Sequence, residues 1–301
     1  MLLHVVLQFE NLSFEYVEEF IGVNLSAGLV LKNINCQFHY GQRILLVGGN
    51  GAGKSTLLKI VGGKHLPTNG MCWQLGHLDS FRATTLNLKR TMATADWGTR
   101  SIAFASHAAA YSADIAVDEM MVKLQQTYPD RRRELLQVLR IDPAWRMHKL
   151  STGQRCRVQL FLALLRPSQL IILDEVLGSL DIVSRVNVLE FLRRESEGPL
   201  RATVILASHV FDGMEEWASH LLYMSKGRIA FFDALAKMPL KGRPQLSIYH
   251  TCDAWLREED DEPEKEDKTS GGLEHAQNRA GGFANGRLGE FASLNTPLYE
   301  K

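Results

Sequence analysis

Hydrophobic and polar positions divide the chain into stretches with two different periods. Residues 5–47 alternate apolar and polar, with turn residues between, the period-two pattern of a small β-layer. The apolar start Met1 to Leu7 has no basic region before it and no small-residue cleavage site, so it reads as a strand rather than a signal peptide. Ile44-Leu45-Leu46-Val47 is a short buried-strand pattern, and Leu57 to Val61 reads as a helix. Mixed strands and loops are expected from Gly70 to about Phe104. From Ile115 to Arg140 apolar residues recur at helical spacing (Met120, Leu124, Leu135, Leu136, Leu139), which predicts a helix there. Ser151 is placed to cap a further helix carrying Val158, Phe161, Leu162 and Leu165, which Pro167 ends. Two apolar strands follow, Leu170 to Leu173 and Thr203 to Leu206, separated by a helix from Ile182 to Arg194. That alternation is a βαβ unit in a parallel sheet, so the fold class is α/β.

The character changes near residue 241. Glu258 to Asp267 is an acidic run, and Gly271 to Gly289 is rich in glycine, asparagine and alanine. The pattern predicts a main domain over 1–240 and an extension over 241–301 that is largely disordered and solvated.

Between the strand 44–47 and its helix lies Gly48-Gly49-Asn50-Gly51-Ala52-Gly53-Lys54-Ser55-Thr56, a G-x-x-x-x-G-K-[ST] loop. Glycines let successive N–H groups turn inward toward phosphate oxygens, and the helix end adds partial positive charge. Lys54 can then reach the β- and γ-phosphates, and the Ser55 hydroxyl can ligate Mg²⁺. The strand 170–173 ends in Asp174-Glu175. A carboxylate at a strand tip facing a phosphate loop can hold the Mg²⁺ shell, and the next can polarise an attacking water. Asp174 is therefore assigned to the metal and Glu175 to the general base.

The 301 residues carry 34 Lys plus Arg against 34 Asp plus Glu, so bulk charge gives no pointer to nucleic acid or a membrane surface. Arg131-Arg132-Arg133 is the only basic triplet and reads as a solvated helix face. Cys36, Cys72, Cys156 and Cys252 lie far apart with no CxxC pair, as expected of reduced thiols in the cytoplasm. The longest apolar runs are too short for an integral membrane segment.

Leu150-Ser151-Thr152-Gly153-Gln154-Arg155 resembles the LSGGQ signature of ABC ATPases. Gly178-Ser179-Leu180-Asp181 is similar to their D-loop, and Ser208-His209 to their switch histidine. The resemblance spans residue 8 to about 235. It implies a P-loop cassette with an antiparallel β-subdomain and a helical signature subdomain at about 108–165. It also implies that Ser151, Gly153 and Gln154 grip a γ-phosphate, that His209 serves catalysis, and that Tyr16 stacks on adenine, with Phe14 the competing choice. Where the family places a glutamine the chain has His107, a poorer ligand for a hard cation. The role of His107 stays open. Thr152 stands at a usual glycine position of the signature, and Val176 where proline is common.

The family works with two cassettes sandwiching two nucleotides head to tail. One phosphate loop and one signature per chain call for a second cassette, expected to be an identical copy. Gly62 to His65, Trp145 to Lys149 and His209 to Trp217 look like stand-alone eukaryotic ABC ATPases. That group comprises relatives of the fungal Not-complex-associated factor and plant non-intrinsic I-subfamily proteins. The group implies a cytoplasmic or nuclear ATPase without membrane domains of its own, and the leading expectation is an Mg-ATP-driven dimerisation switch that regulates a protein partner. A detached ATPase subunit of a membrane transporter and an ATP-binding scaffold with little turnover are the alternative readings.

Overall fold

The computed structural model describes residues 5–20, 23–95, 114–237 and 247–261. Two sheets carry the architecture. β1 (Val5–Phe20) pairs antiparallel with β2 (Val23–His39) on one side. On its other side it pairs with β4 (Asn69–Gln74), and β5 (Leu78–Asp79) closes the order β2-β1-β4-β5. The second sheet comprises β3 (Arg43–Gly48), β6 (Arg90–Thr94), β7 (Leu170–Asp174), β8 (Thr203–Ala207), β9 (His220–Ser225) and β10 (Arg228–Ala234). Its order is β10-β9-β3-β8-β7-β6, parallel from β9 to β6 with β10 antiparallel at one edge.

The apolar runs read from the sequence are the central strands of this sheet, buried on both faces as parallel strands require. Ile44, Leu46, Leu170, Ile172 and Ile205 face one core, shared with the antiparallel sheet and with α1 (Lys54–Val61). Leu45, Val47, Ile171, Leu173, Val204 and Leu206 face the other. That second core is closed by α4 (Thr152–Leu164), α5 (Ile182–Glu197) and α6 (Met214–Trp217). Strand alternation thus sends successive side chains into different cores.

The helix expected over 115–140 is broken. Val117–Glu119 is a 3₁₀ turn, followed by α2 (Val122–Thr127) and α3 (Pro129–Val138). Pro129 lacks a donor and pushes Tyr128 out of the helical region to φ −124°, ψ 64°. The apolar spacing persists across the break, which is why periodicity alone reads one helix.

The basic triplet is likewise not a uniformly solvated face. Arg131 donates from both Nη atoms to the Glu195 carboxylate at 2.8 Å, and from Nε to the Leu164 carbonyl at 2.6 Å. Its guanidinium also lies 5.1 Å from the Phe191 ring centre, so α3 is clamped to α5. Only Arg133, beside Asp130, keeps the expected exposed setting.

A helix, α7 (Ile248–Asp261), stands where the extension was expected to begin, and the compact unit runs to Asp261 rather than 240. Its residues Ile248, Cys252, Trp255 and Leu256 recur at helical spacing and join the α5–α6 core, which holds the helix in place. The other residues of the expected tail, 241–246 and 262–301, lie outside the described residues. All four cysteines are free, and burial pushes the Cys72 and Cys252 thiols up to about 12, so both stay protonated.

Candidate functional site

β3 ends at Gly48, and the loop turns through Gly51 (φ 81°) and Gly53 (φ 95°) into α1. A β-carbon at Gly53 would sit 2.6 Å from Leu31 Cδ2, and one at Gly48 would collide with the Met224 carbonyl. Both positions therefore need glycine for close approach, and Gly53 needs it for its positive φ as well. Lys54 is buried and folds back on the loop, donating from Nζ to the carbonyls of Gly48 (2.8 Å) and Gly49 (3.0 Å). Burial lowers its pKa, while the Glu175 and Asp174 carboxylates pull it back up.

Ser55 Oγ donates to Asp174 Oδ1 at 3.3 Å, joining positions 119 residues apart. The pair is a hydroxyl and a carboxylate, oxygen donors that suit a hard ion such as Mg²⁺. Glu175 sits in the left-handed region (φ 57°), held by its N–H to the Ala207 carbonyl at 3.0 Å. That conformation, uncommon for glutamate, lets the chain turn at the strand tip. Glu175 Oε1 then lies 2.7 Å from His209 Nε2. Ser208 shapes the turn beneath His209, its Oγ accepting from the Val210 N–H at 3.0 Å.

Of the two aromatic candidates, Phe14 is 7% exposed and belongs to the core, whereas Tyr16 is 36% exposed. Tyr16 OH lies 3.2 Å from Thr56 Oγ1 on the first turn of α1, and its ring stands edge-on to both Phe14 and His65. The signature segment forms a separate cluster. Ser151 caps α4, accepting from the Gln154 N–H at 3.3 Å while Gln154 Oε1 accepts from the Ser151 N–H at 2.9 Å. A β-carbon at Gly153 would lie 2.9 Å from the Ser179 carbonyl, so this glycine lets α4 press on the 178–181 loop. Asp181 in turn caps α5, accepting from Ser184 N and Oγ at 2.9 Å, and those hydrogen bonds hold its carboxyl below the usual carboxylate range.

Lys54, Ser55, Asp174, Glu175 and His209 thus form one linked group within the chain, and Tyr16 joins through Thr56. The described contacts of Ser151, Gly153 and Gln154 stay within α4 and the 178–181 loop. His107 lies outside the described residues. Sequence reasoning missed α7, whose Leu256 Cδ2 would lie 3.6 Å from a β-carbon at Gly49. The spacing of Ile248, Cys252, Trp255 and Leu256 was the available signal.

A glycine loop between a central strand and a helix, with a carboxylate at the tip of β7 within reach of the loop's serine, defines a P-loop nucleotide-binding cassette. Residues 31–178 match the family model described as ABC transporter. The chain is 39% identical over 241 residues to ABC transporter I family member 20 of Arabidopsis thaliana, covering 79% of this chain and 72% of that protein. It is 36% identical over 234 residues to CCR4-associated factor 16 of Saccharomyces cerevisiae, covering 74% and 76%. The chain belongs to the ABC family of ATP-binding cassettes, which generally bind ATP with Mg²⁺ and hydrolyse it.

The fold is also shared with solved structures. A dimeric ATP-binding cassette in a post-hydrolysis state with ADP and phosphate aligns with TM-score 0.61 at 19% identity, covering 76% of this chain and 98% of that one. An ATP-binding subunit of an ABC transporter aligns with TM-score 0.64 at 20% identity, covering 84% and 99%. Among the described residues no helix is long and apolar enough to cross a membrane.

Proposed function

We propose that the chain is a Mg-ATPase that closes head to tail on a second copy of itself, and that this closure switches a protein partner. The observation that carries the reading is the meeting of Glu175 with His209 at 2.7 Å, beside the Ser55–Asp174 pair. Phosphates entering the loop give Lys54 stronger acceptors than the two carbonyls it now holds, so the ammonium transfers to the β/γ oxygens. Ser55 and Asp174 would hold Mg²⁺, which when bound neutralises charge developing on the transferred phosphoryl group. Glu175 accepts a proton from the attacking water. His209 donates from Nε2 to Glu175 Oε1 and so orients that carboxylate beside the γ-phosphate position. Tyr16 offers its exposed ring to the adenine.

The described contacts of Ser151, Gly153 and Gln154, which lie within α4 and the 178–181 loop, support the two-copy assembly. Ser151, Gly153 and Gln154 of one copy would complete the γ-phosphate shell on the loop of the other. A fungal relative named for its association with CCR4 supports a protein complex as the target of the switch.

Glu175→Gln tests the reading. The variant removes the base while keeping the side chain's size, so ATP turnover is expected to fall about 100-fold or more. The ATP-bound protein should then elute as a dimer on size exclusion with light scattering. Unchanged turnover, or a monomer at every ATP concentration, would sink it.

A further inference from the structure

Helix α7 touches both halves of the nucleotide site. At its amino end the Ile248 N–H donates to Glu215 Oε1 at 2.6 Å, and Tyr249 meets Phe211 edge to face at 5.7 Å. Both partners lie on the segment that follows His209. At its carboxyl end a β-carbon on Gly49 would be 3.6 Å from Leu256 Cδ2 and 4.0 Å from Glu259 Oε2.

The two ends are held unequally. A carboxylate at a helix amino terminus is favourable, so Glu215 anchors the first turn. The last turn carries Glu258 and Glu259 with no basic residue among its final positions, against the partial negative charge of that end. The face that buries Ile248, Cys252, Trp255 and Leu256 continues at residue 259, where an apolar side chain would extend the packing. A glutamate stands there instead. Tyr223 holds it, donating from OH to Glu259 Oε1 at 2.6 Å, and Trp255 packs on Tyr223 and Phe231 at ring distances of 4.8 and 5.5 Å.

We propose that the acidic end of α7 is an autoinhibitory latch on the phosphate loop. Docked, Glu259 sets a negative charge beside a loop that must receive a negatively charged triphosphate. Mg-ATP expels this end, and the anchored first turn passes the displacement to the His209 segment. The inference rests on the loop Gly48–Thr56 being the nucleotide site.

Glu259→Gln keeps a hydrogen-bond acceptor for Tyr223 and removes only the charge. In the 301-residue chain this variant should bind Mg-ATP about threefold to tenfold more tightly by titration calorimetry, and the gain should shrink at high salt. A second measurement needs no change at the latch. Backbone amides of 256–261 in the Glu175→Gln protein should exchange hydrogen faster with Mg-ATP than without it. Unchanged affinity in Glu259→Gln, or slower exchange at 256–261 in ATP, overturns the latch. Lys54→Ala separates the two ideas: if it abolishes ATP binding while Glu259→Gln changes nothing, the nucleotide site stands and the latch falls. Failure of the unaltered chain to bind Mg-ATP overturns both.

Discussion

His209 Nε2 and Glu175 Oε1 lie 2.7 Å apart across two neighbouring strand tips, although 34 positions separate them in the chain. The ring nitrogen and the carboxylate share one hydrogen bond, and the proposed mechanism couples the two. His209→Ala should lower kcat about 100-fold with little change in KM, because the carboxylate loses the group that aims it. Combining His209→Ala with Glu175→Gln should cost much less than the product of the single losses. Steady-state ATPase assays of the three variants measure this, and full additivity would mean the two residues work independently.

Tyr16 and Phe14 separate by burial, and their substitutions should separate by phenotype. Tyr16→Ala should weaken ATP binding by about 1–3 kcal/mol, the range for losing a stacked base, whereas Tyr16→Phe retains it. Phe14→Ala should instead destabilise the fold by about 3–5 kcal/mol by opening a core cavity. Nucleotide titration and urea unfolding distinguish these outcomes.

Arg131 and Glu195 have side chains only 13% and 16% exposed. Removing one partner leaves the other charge buried, so Arg131→Met should cost about 3 kcal/mol in urea unfolding. Adding Glu195→Leu should recover part of that loss. Arg133→Ala, on the solvated side, should change stability by about 0.5 kcal/mol or less.

His220 supplies a pH signature. Burial lowers its pKa, against the pull of Asp233 that raises it, and Gln42 and Ser219 bracket its ring nitrogens at 3.0 and 2.9 Å. The folded protein therefore takes up this proton less readily than the unfolded chain. The contribution to stability is complete above the ordinary histidine value of about 6.5 and is lost as pH falls below it. Thermal unfolding at pH 7.5 and 5.5 should show a smaller drop in Tm for His220→Gln than for the unaltered chain.

Much of the cassette was legible without coordinates. The glycine loop, the buried strands 44–47, 170–173 and 203–206, and the Ser151 cap all stand where the pattern placed them, because each is decided within a few residues. The break at Tyr128–Pro129 was also local, but apolar spacing on both sides concealed it. Arg131 looked solvated because nothing near it in the chain announces Glu195, which arrives from α5.

Short-range rules thus determined which segments become strands and helices, and where a phosphate could be cradled. Backbone propensity, capping and glycine freedom act over one or two turns, so composition and spacing carry them. Tertiary structure decided which distant groups meet: Ser55 with Asp174, Glu175 with His209, and Leu256 with the phosphate loop. Those meetings depend on strand order in the six-stranded sheet and on which face a helix buries. Both follow from the balance of many non-local contacts, which no short window of sequence contains.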